Sequence, residues 1–92
     1  MGHIKLAKAS GQFDIVSADN VGHVKLGGID TDEVEIGYTS GYKVKIDGTS
    51  AYTSTDVFTV VKALDIMEGA SGVAPLVELS SKVDGTTVEA IV

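Results

Sequence analysis

Side chains able to do chemistry are sparse in this chain, and none falls in a catalytic pattern. His3 and His23 are the two histidines, and no spacing of acids or hydroxyls joins them into a metal site or a nucleophile–base pair. Both read as ordinary strand or surface histidines. With no cysteine, disulfides, zinc ribbons and thiol catalysis are excluded. Met1-Gly2-His3 has the form of a free terminus that grips copper, a property such termini acquire by accident. Asp30-Thr31-Asp32-Glu33 hints at a calcium loop. It lacks the third ligand and the glycine of an EF-hand, so it reads as a solvated turn. Gly69-Ala70-Ser71-Gly72 has the G-x-x-G form that clamps RNA backbone in KH domains. Its downstream flank reads as a strand, so a helix end and loop is the simpler reading. No G-x-S-x-G nucleophile elbow occurs. The expectation is a protein that is not an enzyme and uses no cofactor or metal.

The best binding candidates are Tyr38, Tyr42, Lys43 and Lys45, with Lys25 and Tyr52 as further members. Aromatic rings beside lysines can stack bases and hold phosphates, and stacking contributes about 1–3 kcal/mol per base. The plainer reading makes Tyr38 and Tyr42 a cross-strand pair over the core edge and lets Lys45 neutralise Glu35. Overall charge favours the plainer one. The formal net charge is −6, and all seven cations are lysine. Residues 1–46 carry five Lys against six acids, for −1, and residues 47–92 carry two Lys against seven acids, for −5. Duplex binders present a basic face and use arginine for bidentate contacts. Here there is at most a local patch.

These residues are positioned by Glu33 to Asp47, EVEIGYTSGYKVKID, which reads as a β-hairpin. Val34, Ile36 and Tyr38 alternate with Glu33, Glu35 and Gly37, and Tyr42, Val44 and Ile46 alternate with Lys43, Lys45 and Asp47. A three-residue loop, Thr39-Ser40-Gly41, places glycine where that loop class needs a left-handed residue. The register then sets Tyr38 across from Tyr42, Ile36 from Val44, Val34 from Ile46 and Glu35 from Lys45. A one-residue slip would oppose apolar residues to charges. One face is therefore apolar and the other a Glu/Lys ladder.

The remaining elements follow from period. Ile4 and Leu6 mark a first strand, Ser10-Gly11 a turn, Phe13 and Ile15 a second strand, and Ala18-Asp19-Asn20 a break. Val24 and Leu26 mark a third strand that ends at Gly27-Gly28. Val57, Val60, Val61, Leu64 and Met67 fall at helical spacing, with Thr53-Ser54-Thr55-Asp56 as the start signal and Gly69 as the stop. Val77, Leu79 and Val83 lead into Asp84-Gly85, which predicts a final two-residue hairpin with Val83 opposite Thr86. At 92 residues and 43% hydrophobic content, the chain is expected to form one globular domain, residues 1–92, with one modest core. No apolar run reaches the ~18 residues of a membrane span, and no secretory pattern precedes the first strand. Met1-Gly2 opens like an acylation signal, but Leu6 stands where Ser or Thr is required. Some six short strands around one helix predict a mainly β fold with one α-helix, in the form of a small, strongly bent barrel. The apolar last strand, ending on Ile91-Val92, predicts cover by a neighbouring strand or by another subunit.

The strand FDIVSADNV, the hairpin EIGYTSGYKVKI, a single helix and the ending VSSK/DGTTV together resemble a set of small ocean-metagenome proteins ascribed to cyanophages. Members of that set are similar in fold to Sm/LSm proteins, small SH3-like barrels that form rings by edge-strand pairing. The resemblance implies a homo-oligomeric, non-enzymatic barrel that binds single-stranded RNA or DNA in a processing role, in the cytoplasm of the host cell or in the virion. The net charge and the absence of a credible site favour the alternative, a phage structural or protein-interaction component that binds no nucleic acid. The Arg-Gly pair of Sm RNA contacts is absent from this chain, and the helix follows the central hairpin.

Overall fold

The central hairpin forms in the register its alternation demands. The computed structural model describes residues 2–28, 31–67, 76–80 and 83–90. Within it, β4 (Glu33–Tyr38) and β5 (Tyr42–Gly48) pair antiparallel with Val34 opposite Ile46, Glu35 opposite Lys45 and Ile36 opposite Val44. Gly41 closes the loop at φ 98° and donates its N–H to Tyr38 O at 3.1 Å. A side chain would be strained at that angle, and glycine is not.

Two sheets are built around this hairpin. The four-stranded sheet runs β3-β4-β5-β7, with β3 at Val21–Gly27 and β7 at Val83–Ala90. The three-stranded sheet runs β2-β1-β6, with β1 at His3–Ala7, β2 at Phe13–Ser17 and β6 at Leu76–Val77. β1 and β2 are antiparallel, joined through the expected turn, where Gly11 N–H donates to Lys8 O; β6 lies parallel to β1. Helix α1 spans Ser54–Met67 and buries Val60, Ala63, Leu64 and Met67, packing on β1, β3 and β6. Ile4, Leu6, Val34, Ile36, Ile46, Val60 and Val83 are the most deeply buried apolar side chains. A core of aliphatic residues follows from a chain with so few aromatics.

Two expectations need correction. The Asp84-Gly85 pair does not turn the chain back: β7 continues through it, with Gly85 opposite Asp47, Val83 opposite Gly48, and Asp84 as the extra residue of a β-bulge. The hairpin is ruled out because β6 pairs with β1 and β7 with β5, so the segments on either side of residues 78–82 belong to different sheets. Phe13 and Ile15 face outward, 54% and 59% exposed, while Val16 on the opposite face enters the core. Lys5 Nζ stands 5.4 Å from the centroid of the Phe13 ring, a contact that keeps part of that ring covered. Finally, the described residues do not form a closed barrel. The two sheets share backbone contacts at one corner, where Lys8 bridges Val83 and Ala9 N–H donates to Val83 O at 2.8 Å. Beyond it β2 and β7 remain sheet edges. The mainly β class with one helix holds. The helix stop at Gly69 and the Gly69–Gly72 motif lie outside the described residues, as does Asp30.

Candidate binding faces

The pairing of β3, β4, β5 and β7 fixes which functional side chains share a face. On the charged face, one row holds His23, Gly37, Lys43 and Glu89; the next holds Lys25, Glu35, Lys45 and Thr87; the third holds Gly27, Glu33, Asp47 and Gly85. On the opposite face lie Val24, Ile36, Val44 and Val88. Tyr38 and Tyr42 share the parity of this apolar face, because strand side chains alternate. The structure therefore brings Lys25, Lys43 and Lys45 together and separates them from Tyr38 and Tyr42. Strand alternation divides the five candidates between two faces.

Glu35 is the hub of the charged face. Its carboxylate is nearly buried and takes His23 Nε2 at 2.8 Å, Lys43 at 3.5 Å and Lys25 at 3.7 Å. The His23 hydrogen bond pulls the Glu35 carboxyl below its usual range; burial opposes this, and the two lysines reinforce it. Lys45, expected to serve Glu35, instead reaches Glu89 at 3.2 Å, with Lys43 also within 4.0 Å of Glu89. Glu89 holds the Lys45 ammonium above its usual range.

The approach of His23 depends on Gly37. A Cβ at residue 37 would fall 2.0 Å from His23 Cε1, so the imidazole occupies the space that a side chain would take. Glycine inside a strand commonly marks such an approach. That signal was present in EVEIGY but named no partner.

The third row is acidic. Glu33 lies directly across from Asp47, and its carboxyl is raised by burial, with Lys45 opposing and Asp47 adding to the rise. A cleft of about 610 Å³ over this face is lined by Lys25, Lys43, Lys45, Asp32, Glu33 and Glu35, among others. Each of its three lysines lies within ion-pairing distance of Glu35 or Glu89. Among the described residues no group of three or more His, Cys, Asp or Glu side chains is arranged to hold a metal ion.

The tyrosines divide further. Tyr38 donates its hydroxyl to Ser17 O, and burial pushes its pKa up to about 12. Tyr52 is buried in the core, its hydroxyl has no hydrogen-bond partner among the described residues, and its pKa is also pushed up to about 12, by burial and then by Asp56 and Asp47. Only Tyr42, 55% exposed, offers a ring to solvent. It borders a groove of about 370 Å³ between β2 and β7, with Ile15, Val44 and Val88 among the lining residues. Val88 is 66% exposed. This groove is the corner of the apolar face that the three-stranded sheet leaves uncovered.

Comparisons with known protein families, curated proteins and solved structures return no match. Function must be read from these two faces. No helix among the described residues is long and apolar enough to cross a membrane.

Proposed function

We propose that the protein is a non-enzymatic assembly component that forms homo-oligomers by pairing strand edges. The observation that carries this reading is the C-terminal part of the β7 edge, Thr87 to Ala90: it holds no lysine or proline, lies beyond the bulge at Asp84, has its one charge, Glu89, engaged by Lys45, and bears an exposed Val88 beside an uncovered apolar groove. Strand edges of soluble monomers are usually blunted by charge, proline or bulges on the open side. Light scattering or sedimentation at micromolar concentration tests it; a mass that stays at one chain refutes it.

Single-stranded nucleic-acid binding by an Sm-like ring is the competing reading. Its support in this chain is Tyr42, an exposed ring that ring assembly would repeat, giving weak contacts avidity. Against it stand the net charge of −6, the acidic partners of Lys25, Lys43 and Lys45, and their placement on the face opposite Tyr42. Fluorescence anisotropy with oligo-U and oligo-dT at low salt separates the two. Binding that falls steeply as salt rises would favour the nucleic-acid reading.

A further inference from the structure

The proposed self-association leaves open which partner strand meets β7 and in what register, and the charged face supplies an answer. Resting on that reading, we infer that two copies join β7 to β7 antiparallel about a two-fold axis at Val88, making one continuous eight-stranded sheet. The backbone edge proposed to pair is Thr86 to Ala90, because Val83 is engaged by Lys8 and Ala9; at Thr86 it is the hydroxyl that is engaged, donating to Asp14 Oδ2 at 3.1 Å. A two-fold pairing must oppose residues of the same parity, or the apolar face of one copy would continue into the charged face of the other. That leaves few registers.

An axis at Glu89 places the two Glu89 carboxylates directly opposite each other, which is destabilising. An axis at Thr87 places Glu89 opposite the partner's Gly85, whose row continues into the acids Asp47 and Glu33. An axis at Val88 does better on both faces. On the charged face a row then reads Lys43, Glu89, the partner's Thr87, the partner's Lys45 and the partner's Glu35. Charge signs alternate across the junction, with the partner's Thr87, a neutral residue, standing between Glu89 and the partner's Lys45. On the apolar face Val88 meets the partner's Val88, and Thr86 meets the partner's Ala90. The paired segment ends at Thr86, where the Asp14 contact begins. A second copy is thus a charge-complementary occupant of the edge, and isologous contacts of this kind close on themselves as dimers.

The chain has no cysteine, so single introduced cysteines report proximity directly. Directly opposed antiparallel residues have Cα atoms ~4.5–5.5 Å apart, within disulfide reach. Val88→Cys should give a disulfide-linked dimer under mild oxidation, and an equal mixture of Thr87→Cys and Glu89→Cys chains should cross-link with each other more than either does alone. Lys62→Cys, on the exposed side of α1, serves as the control and should stay unlinked. Val88→Asp should weaken association about tenfold by opposing like charges and removing the apolar contact of the two valines, while leaving circular dichroism unchanged. A dimeric mass in which Val88→Cys and the mixed pair fail to cross-link, or a mass of a larger ring, overturns this inference and leaves self-association standing. A monomeric mass overturns both.

Discussion

Asp56 carries the sharpest test of how this fold is held together. Its carboxylate accepts from Thr53 N–H at 2.9 Å, Thr53 Oγ1 at 3.3 Å, Ser80 N–H at 2.8 Å and Ser80 Oγ at 2.6 Å. It is 4% exposed. Two of the bonds close the helix start, since Thr53 O in turn accepts from the N–H groups of Asp56 and Val57; the other two tie α1 to the segment between β6 and β7. In Asp56→Ala the hydroxyls of Thr53 and Ser80, both on exposed residues, can turn to water. The two backbone N–H groups lose their acceptor. Losing the cap costs about 1 kcal/mol, range 0.5–2, and losing a charge-assisted bond about 1.5–3 kcal/mol. The expected loss is therefore about 2–4 kcal/mol. At about 4–8 °C per kcal/mol for a domain of this size, the thermal midpoint drops by at least about 8 °C. Asp56→Asn should recover little, because one side of an amide must point its NH2 at a donor.

The pH dependence of that loss follows from the same contacts. Burial pushes the Asp56 carboxyl up, but the side chain and backbone of Ser80 and then those of Thr53 outweigh it, and the group ends below its usual range. A carboxyl lowered in the folded state stabilises fully above its unfolded value, about 3.9, and the gain disappears as pH falls through the folded value. Urea unfolding followed by circular dichroism should show wild type and Asp56→Ala converging below about pH 4. A loss under about 1 kcal/mol at neutral pH, or a difference that stays flat down to strong acid, would refute the assignment.

Gly37→Ala should cost stability by displacing His23 from Glu35, yet be tolerated in a His23→Ala background; a double-mutant cycle showing coupling under about 0.5 kcal/mol would remove the steric explanation. Glu33→Gln should raise stability at neutral pH by about 0.2–1 kcal/mol, because it relieves a charge directly opposite Asp47, with the gain shrinking as acid protonates the raised wild-type carboxyl; urea melts at two pH values check it. Tyr52→Phe removes a buried hydroxyl that has no partner among the described residues, so denaturant midpoints should hold or rise, and a loss above about 1 kcal/mol would count against that. Lys43→Glu should leave oligo-U anisotropy unchanged under the assembly reading, whereas a clear fall from measurable wild-type binding would restore the nucleic-acid one.

Period and turn chemistry alone determined the central hairpin, its loop at Gly41, the helix and its N-terminal start, because these depend on neighbours in sequence. Alternation also contained the division of Tyr42 from Lys43 and Lys45, since adjacent strand residues cannot share a face. Only the tertiary structure decided the rest. Asp84-Gly85 has hairpin chemistry, but pairing of β7 with β5 and of β6 with β1 left it no partner strand to turn toward. The partners of Glu35 lie on three strands, so no local spacing names them, and the space that admits His23 exists because Gly37 happens to face it across the sheet. Asp56 reads locally as a helix-start acid; its hold on Ser80, 24 residues away, appears only once the chain has returned. Short-range preferences are written residue by residue, whereas edges, grooves and buried ion pairs come into being when distant segments meet.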